Sequence, residues 1–180
     1  FAALSSSCVS KTKQSAGVSS KVSSDLTLVS AQERSQRLSH VSYELEVDLL
    51  SAASQELEAQ YSGKQTISFK LSRVDRDLRI DFFEGSVSSI NVNGQTVANT
   101  AKQTYFITIP AAALRLGQNT IEISDAQKFS RTGQGLHRFR DPVDGNVYLY
   151  TQFETYEANR FMPCFDQPDL RSTLTMKVLA

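Results

Sequence analysis

The chain has 180 residues, of which 40% are hydrophobic, and its 19 Lys and Arg balance 19 Asp and Glu. That length suits a single domain with its own core. The balanced charge excludes the basic excess that nucleic acid or an anionic membrane surface demands. No run of about 18 apolar residues occurs, so no segment reads as a transmembrane helix.

Residues 1–25 read as a disordered, Ser-rich arm. Up to Ser24 the arm carries three lysines, no acids and no periodicity. Small residues directly before Cys8, followed by a Ser/Lys spacer, resemble a bacterial lipoprotein processing site, with Cys8 as the lipidated residue. Leu4 stands one place farther from Cys8 than the usual box puts it. An ordinary thiol in a disordered arm is the alternative, so an exported, lipid-anchored protein and a cytoplasmic one are both open. The other cysteine, Cys164, is far away in sequence, and spacing gives a disulfide little support.

The folded part is expected to span residues 26–180. Ser30-Ala31-Gln32-Glu33 has capping-box spacing and predicts a short helix over 31–38, lying on the outside. Val41, Tyr43, Leu45, Val47 and Leu49 then alternate with polar residues, as a half-buried strand does. A second strand runs from Leu57 to Leu71, with Gly63 read as a bulge or bend. Leu78 to Phe83 is short and apolar. Val87, Ile90 and Val92 lead into Asn93-Gly94, the strongest hairpin signal present. Tyr105, Ile107 and Ile109 alternate up to Pro110, residues 110–116 suggest a helical turn, and Ile121 and Ile123 open another strand. Two strands, residues 135–140 and 147–153, flank an Asp141-to-Gly145 turn. Leu174, Met176 and Val178 alternate to the end, and the chain reads as part of something longer. Short strands with turn chemistry between them and almost no helix predict an all-β, antiparallel β-sandwich or saddle.

The stretch from Asn146 to Leu170, NVYLYTQFETYEANRFMPCFDQPDL, changes character halfway. A β-branched and aromatic strand ends on Glu154 and enters a polar loop punctuated by prolines, a common way to present a binding group. The plain alternative is a well-packed corner of a β-domain. TQFE followed by NRFMPCFDQP, with GLHRFRDPVDGNVYLY upstream, resembles the N-terminal β-domain of the aminopeptidase N family, zinc metalloaminopeptidases of the gluzincin group. The likeness is dense from Gly135 onward and collinear from about Leu26.

The resemblance implies a saddle-shaped N-terminal domain whose parent hydrolyses N-terminal residues of peptides. The zinc would be held in a catalytic domain outside these residues. The chain has two histidines, His40 and His137, neither within HExxH. The family's GxMEN motif, a GxSxG elbow and a phosphate loop are absent as well. The chain alone is therefore expected to be inactive, with no catalytic residue and no metal ligand, and both histidines read as packing or surface residues. By position in the motif, the resemblance implies that Glu154 holds the free α-ammonium group of a peptide. It implies that Gln152 borders the pocket for the first side chain. The leukotriene-epoxide hydrolase branch resembles QxQ at this place, so Glu154 favours aminopeptidase use. Asp166 is expected to fix a turn, Arg160 to meet an acid, and Phe161, Cys164 and Phe165 to fill core. Asp141 and Asp144 are expected to be solvated. The expected partners are a peptide with a free N-terminus and the catalytic domain. A noncatalytic β-sandwich binding or scaffold module, or a degenerate relative without a metal site, are the other readings.

Overall fold

The computed structural model describes residues 26–97 and 103–180; the Ser-rich arm and Cys8 lie outside the described residues. The helix α1 spans Leu28–Arg37 and is capped one turn earlier than the capping box suggests. Thr27, not Ser30, takes the N-cap, its Oγ1 accepting from the Ser30 amide at 3.2 Å, while Glu33 pairs instead with Arg76 at 2.8 Å. Nor does α1 simply lie on the outside. Arg34 and Arg37, a turn apart, are both buried, because their guanidiniums reach acids and carbonyls inside the domain.

The helix runs straight into β1 (Leu38–Asp48), whose Val41, Tyr43, Leu45 and Val47 are buried in the expected alternation. The remaining strands are β2 (Gln60–Leu71), β3 (Leu78–Asp81), β4 (Ser86–Val92), β5 (Gln95–Thr96), β6 (Phe106–Ile109), β7 (Gly117–Lys128), β8 (Gly135–Arg140), β9 (Val147–Gln152) and β10 (Ser172–Leu179). They form a six-stranded sheet in the order β10-β1-β2-β7-β4-β5 and two hairpin-sized sheets, β3-β6 and β8-β9. Pairing is antiparallel except for β10, which lies parallel to β1. The all-β expectation with one short helix therefore holds, with one parallel edge. Among the described residues, no helix is long and apolar enough to cross a membrane.

Two local expectations resolve differently from each other. Asn93 and Gly94 both take left-handed φ, 53° and 80°, as a tight hairpin of the type I′ kind requires. Gly63, by contrast, makes no bulge: β2 pairs β7 without interruption, and Gly63 faces Asp125. A side chain there would begin 2.9 Å from Asp125 Oδ1, so the glycine clears space for a carboxyl instead of bending the strand. The register shift between β1 and β2 falls at Ser39 to Ser42, around His40 with its φ of 54°.

Ile67, Phe69, Ile80, Ile107, Ile109 and Ile121 are fully buried, and the three sheets share one core. Each such side chain contributes about 1.5–3 kcal/mol relative to exposure. The loop after β9 joins that core through Phe161, Met162, Cys164 and Phe165. It is stitched in by backbone: Asp81 and Cys164 exchange N–H···O bonds of 2.8 and 3.0 Å, and the Phe165 amide donates to Tyr43 Oη at 2.9 Å. At the other edge, Leu174, Met176 and Val178 stand beside Tyr43, Leu45 and Val47 in register. They share the core face, yet are 48%, 48% and 46% exposed. An apolar strip thus extends beyond what the described residues cover.

Candidate site at the end of β9

Strand β9 ends on Gln152; Phe153 and Glu154 follow as the chain turns. Phe153 packs inward, its ring stacked on Phe161 at 5.4 Å between centroids. Its neighbours Gln152 and Glu154 are both exposed. They touch through the backbone, the Glu154 amide donating to Gln152 Oε1 at 3.1 Å. The Glu154–Thr155 peptide bond is cis. Among the described residues, no hydrogen bond or ion pair engages the Glu154 carboxylate.

The arginine closest in sequence is taken by another acid. Arg160 Nε donates to Glu157 Oε2, while its guanidinium lies 3.9 Å from the centre of the Phe83 ring. Glu157 also accepts from Gln134 Nε2 at 2.8 Å. Asp166 fixes a turn through a side-chain-to-backbone bond, as the sequence suggested, though the turn lies upstream at 158–160. Its Oδ2 accepts from the Asn159 amide and side chain at 3.0 and 2.8 Å, tying the loop seven residues back. Phe161, Cys164 and Phe165 are buried, and burial pushes the Cys164 thiol well up, which suits a packing residue and not a nucleophile. Asp144 is exposed and holds the turn, accepting from the Asn146 amide and Tyr148 Oη at 2.7 Å each. Asp141 caps the Val143 amide at 2.7 Å.

Below the loop lies a buried polar cluster that sequence reasoning missed. Arg34 Nη1 meets Asp81 Oδ2 at 2.7 Å, and Arg34 Nε meets Gln167 Oε1 at 2.6 Å. Asp81 Oδ2 also accepts from the Asp166 amide at 2.9 Å. Burial pushes the Asp81 carboxyl up, against the pull of Arg34. The only signal in sequence was the spacing of Arg34 and Arg37 on one helix face, and their partners lie far along the chain.

Two clefts of about 470 and 500 Å³ open on the surface, and neither is lined by Gln152 or Glu154. His40 is exposed at the bulge. His137, on β8, accepts from the Gly133 amide through Nδ1 at 3.1 Å and packs on Tyr150 at 4.8 Å. Among the described residues, no three His, Cys, Asp or Glu side chains gather as a metal site. These residues therefore do not fit zinc, and no chemical step runs through a metal on them. Chemically, the end of β9 offers one accessible carboxylate beside one accessible carboxamide.

The family model described as the peptidase M1 N-terminal domain matches residues 39–180. Aminopeptidase N of Streptomyces lividans is 34% identical over 156 residues, which is 87% of this chain and 18% of that protein. A probable aminopeptidase 1 of Saccharolobus solfataricus is 29% identical over 121 residues, covering 66% of this chain and 14% of its own length. The fold is similar to native yeast LTA4 hydrolase, with a TM-score of 0.65 and 19% identity over 79% of this chain and 23% of that one. It is also similar to an M1 zinc metallopeptidase of Deinococcus radiodurans bound to a Tyr-Ser-Ala substrate, with a TM-score of 0.57 and 19% identity over 79% and 32% of the two chains.

Proposed function

The chain belongs to the peptidase M1 family as its N-terminal domain, and from that premise we propose that it supplies amine recognition to a zinc aminopeptidase. Glu154 holds the free α-ammonium group of a peptide, and Gln152 borders the space for its first side chain. The zinc and the remaining walls of the site come from a catalytic domain; among the described residues nothing gathers as a metal site. The observation that supports this reading is the Glu154 carboxylate, exposed and without a partner among the described residues. The exposed strip on β10 is a surface on which another part of the protein would pack.

The physical case is one of discrimination. An exopeptidase must separate a terminal ammonium group from an internal amide. A carboxylate rewards the cation with charge-assisted hydrogen bonds of about 1.5–3 kcal/mol each once the site is closed from water. A neutral amide gains nothing comparable. Holding the amine at Glu154 also sets how far the first peptide bond lies from the reacting group, so binding becomes positioning.

In the full-length protein, Glu154→Ala should lower kcat/KM for aminoacyl-nitroanilides by about ten- to a hundredfold while thermal stability stays constant. Unchanged kcat/KM would remove the role of Glu154. The 180-residue chain alone, with zinc added, should turn over nothing; measurable hydrolysis would overturn the division of labour. Lipid attachment at Cys8 is tested by mass spectrometry of the native protein, where an unmodified thiol removes it.

A further inference from the structure

The cleft of about 500 Å³ lies between β8 and the segment that joins β1 to β2. Three arginines line it, Arg131, Arg138 and Arg140, against the rings of Phe129, His137 and Phe139, and no carboxylate lines it. The other cleft makes an instructive contrast. There three of the four lining arginines are answered by acids, Arg34 by Asp81, Arg37 by Asp75 and Arg76 by Glu33, while Arg79 lies over the Phe106 ring.

In the β8 cleft the arginines' hydrogen bonds go only to neutral groups. Arg138 donates from Nε to Ala52 O and from Nη1 to Glu56 O, each at 2.8 Å, and from Nη2 to Ser54 O. Its guanidinium lies 5.8 Å from the centre of the Phe129 ring. Those bonds immobilise the group without cancelling its charge, since carbonyls carry none. Arg140 donates to Gly145 O at 2.7 Å. Arg131 is exposed and makes no hydrogen bond or ion pair among the described residues. The Glu58 carboxylate feels the charge of Arg131, but Lys128 already holds it at 2.5 Å.

We infer that this cleft binds a phosphomonoester on a molecule that also carries an aromatic ring. Three guanidiniums without an ion pair among the described residues match a dianion better than a single carboxylate does, and a phosphomonoester carries a charge of about −1.5 to −2 at pH 7. The planar guanidinium fork suits phosphate oxygens, and the immobile Arg138 arrives already oriented. Phe139, 46% exposed, and the His137 ring offer flat apolar faces to an aryl group. The volume falls in the range of about 300–1,000 Å³ usual for small-ligand sites. The ligand is either a free mononucleotide or a phosphotyrosine side chain, which share this chemistry. The inference does not depend on the aminopeptidase reading.

Isothermal titration of the full-length protein at low salt tests it, with phenyl phosphate, inorganic phosphate, AMP and O-phosphotyrosine as probes. Phenyl phosphate should bind, and bind several-fold tighter than inorganic phosphate. Arg131→Ala with Arg140→Ala should weaken it at least about tenfold, the loss expected for one charge-assisted contact. Phe139→Ala should remove the preference for phenyl phosphate over inorganic phosphate and leave the latter's affinity in place. All three positions are exposed, and circular dichroism checks that the variants fold. The tighter of AMP and phosphotyrosine assigns the source. Equal binding by wild type and the double variant, no heat with phenyl phosphate at millimolar concentration, or equal affinity for the two phosphates would each overturn the inference.

Discussion

Two carboxylates bear on the loop that leaves β9, Asp81 from the end of β3 and Glu154 at the loop's own start, and they are treated in opposite ways. Asp81 is buried, takes a guanidinium from α1 and an amide from the loop, and exchanges backbone bonds with Cys164. Glu154 is exposed, and among the described residues nothing answers its charge. The difference separates building from binding. A charge inside the fold must be matched when the chain folds, because burying it alone is costly. A charge left bare at the rim adds little to stability and remains available to a cation that arrives later.

Removing the buried cation should break the comparison most violently. Arg34→Ala leaves Asp81 buried without its counter-charge and Gln167 without a donor, and should cost about 3–5 kcal/mol, read as a large fall in Tm or in the urea midpoint. Next comes Asp125, a second buried carboxyl and one without an ion pair. Its Oδ1 has no hydrogen-bond partner, and burial pushes it up to about 7 from 3.8. The folded state then keeps a proton that the unfolded chain releases. The contribution of Asp125 to stability is therefore fullest below about pH 4, falls by up to about 1.4 kcal/mol per pH unit as pH rises towards 7, and levels off above. Asp125→Asn should flatten that slope and leave the variant more stable than wild type at pH 8 in chemical denaturation. A wild type with no such slope would contradict the buried acid.

Gly135→Ala should cost somewhat less. Its φ is 67°, and a Cβ there would begin 2.9 Å from Arg160 Cβ and 3.1 Å from Arg160 O. Left-handed strain alone is about 1–2 kcal/mol, and the loop that carries Glu157 and Arg160 would have to shift; thermal unfolding measures the sum. Smallest of all is Glu154→Gln, expected to stay within about 0.5 kcal/mol of wild-type stability. A large loss there would mean that Glu154 is a structural acid after all, and the contrast with Asp81 would collapse.

Much of this was legible in the chain itself. Period-two alternation marks β1, β6 and β10, β-branched and aromatic residues mark β9, and Asn93-Gly94 marks its hairpin, because those features are decided by neighbours in sequence. The TQFE segment likewise marks the exposed carboxylate at the end of β9, since a strand ending on an acid is a local pattern. What local pattern does not carry is partnership over distance. Gly63 looks like a strand breaker until Asp125 on β7 is seen opposite it. Ser30 and Glu33 look like a capping box because Arg76, which claims Glu33, lies 43 residues on. The buried partners of Arg34 and Arg37 are hidden in the sequence for the same reason.

Phe153 has a further consequence. Its ring is pinned against Phe161 while its two neighbours stand in solvent. Residues two apart along extended chain are spaced by about 7 Å, so this aromatic anchor makes the segment a short ruler with a carboxamide at one mark and a carboxylate at the other. Trimming the anchor would leave both marks intact and the ruler loose, an injury that should show as blurred selectivity among first residues before the fold weakens.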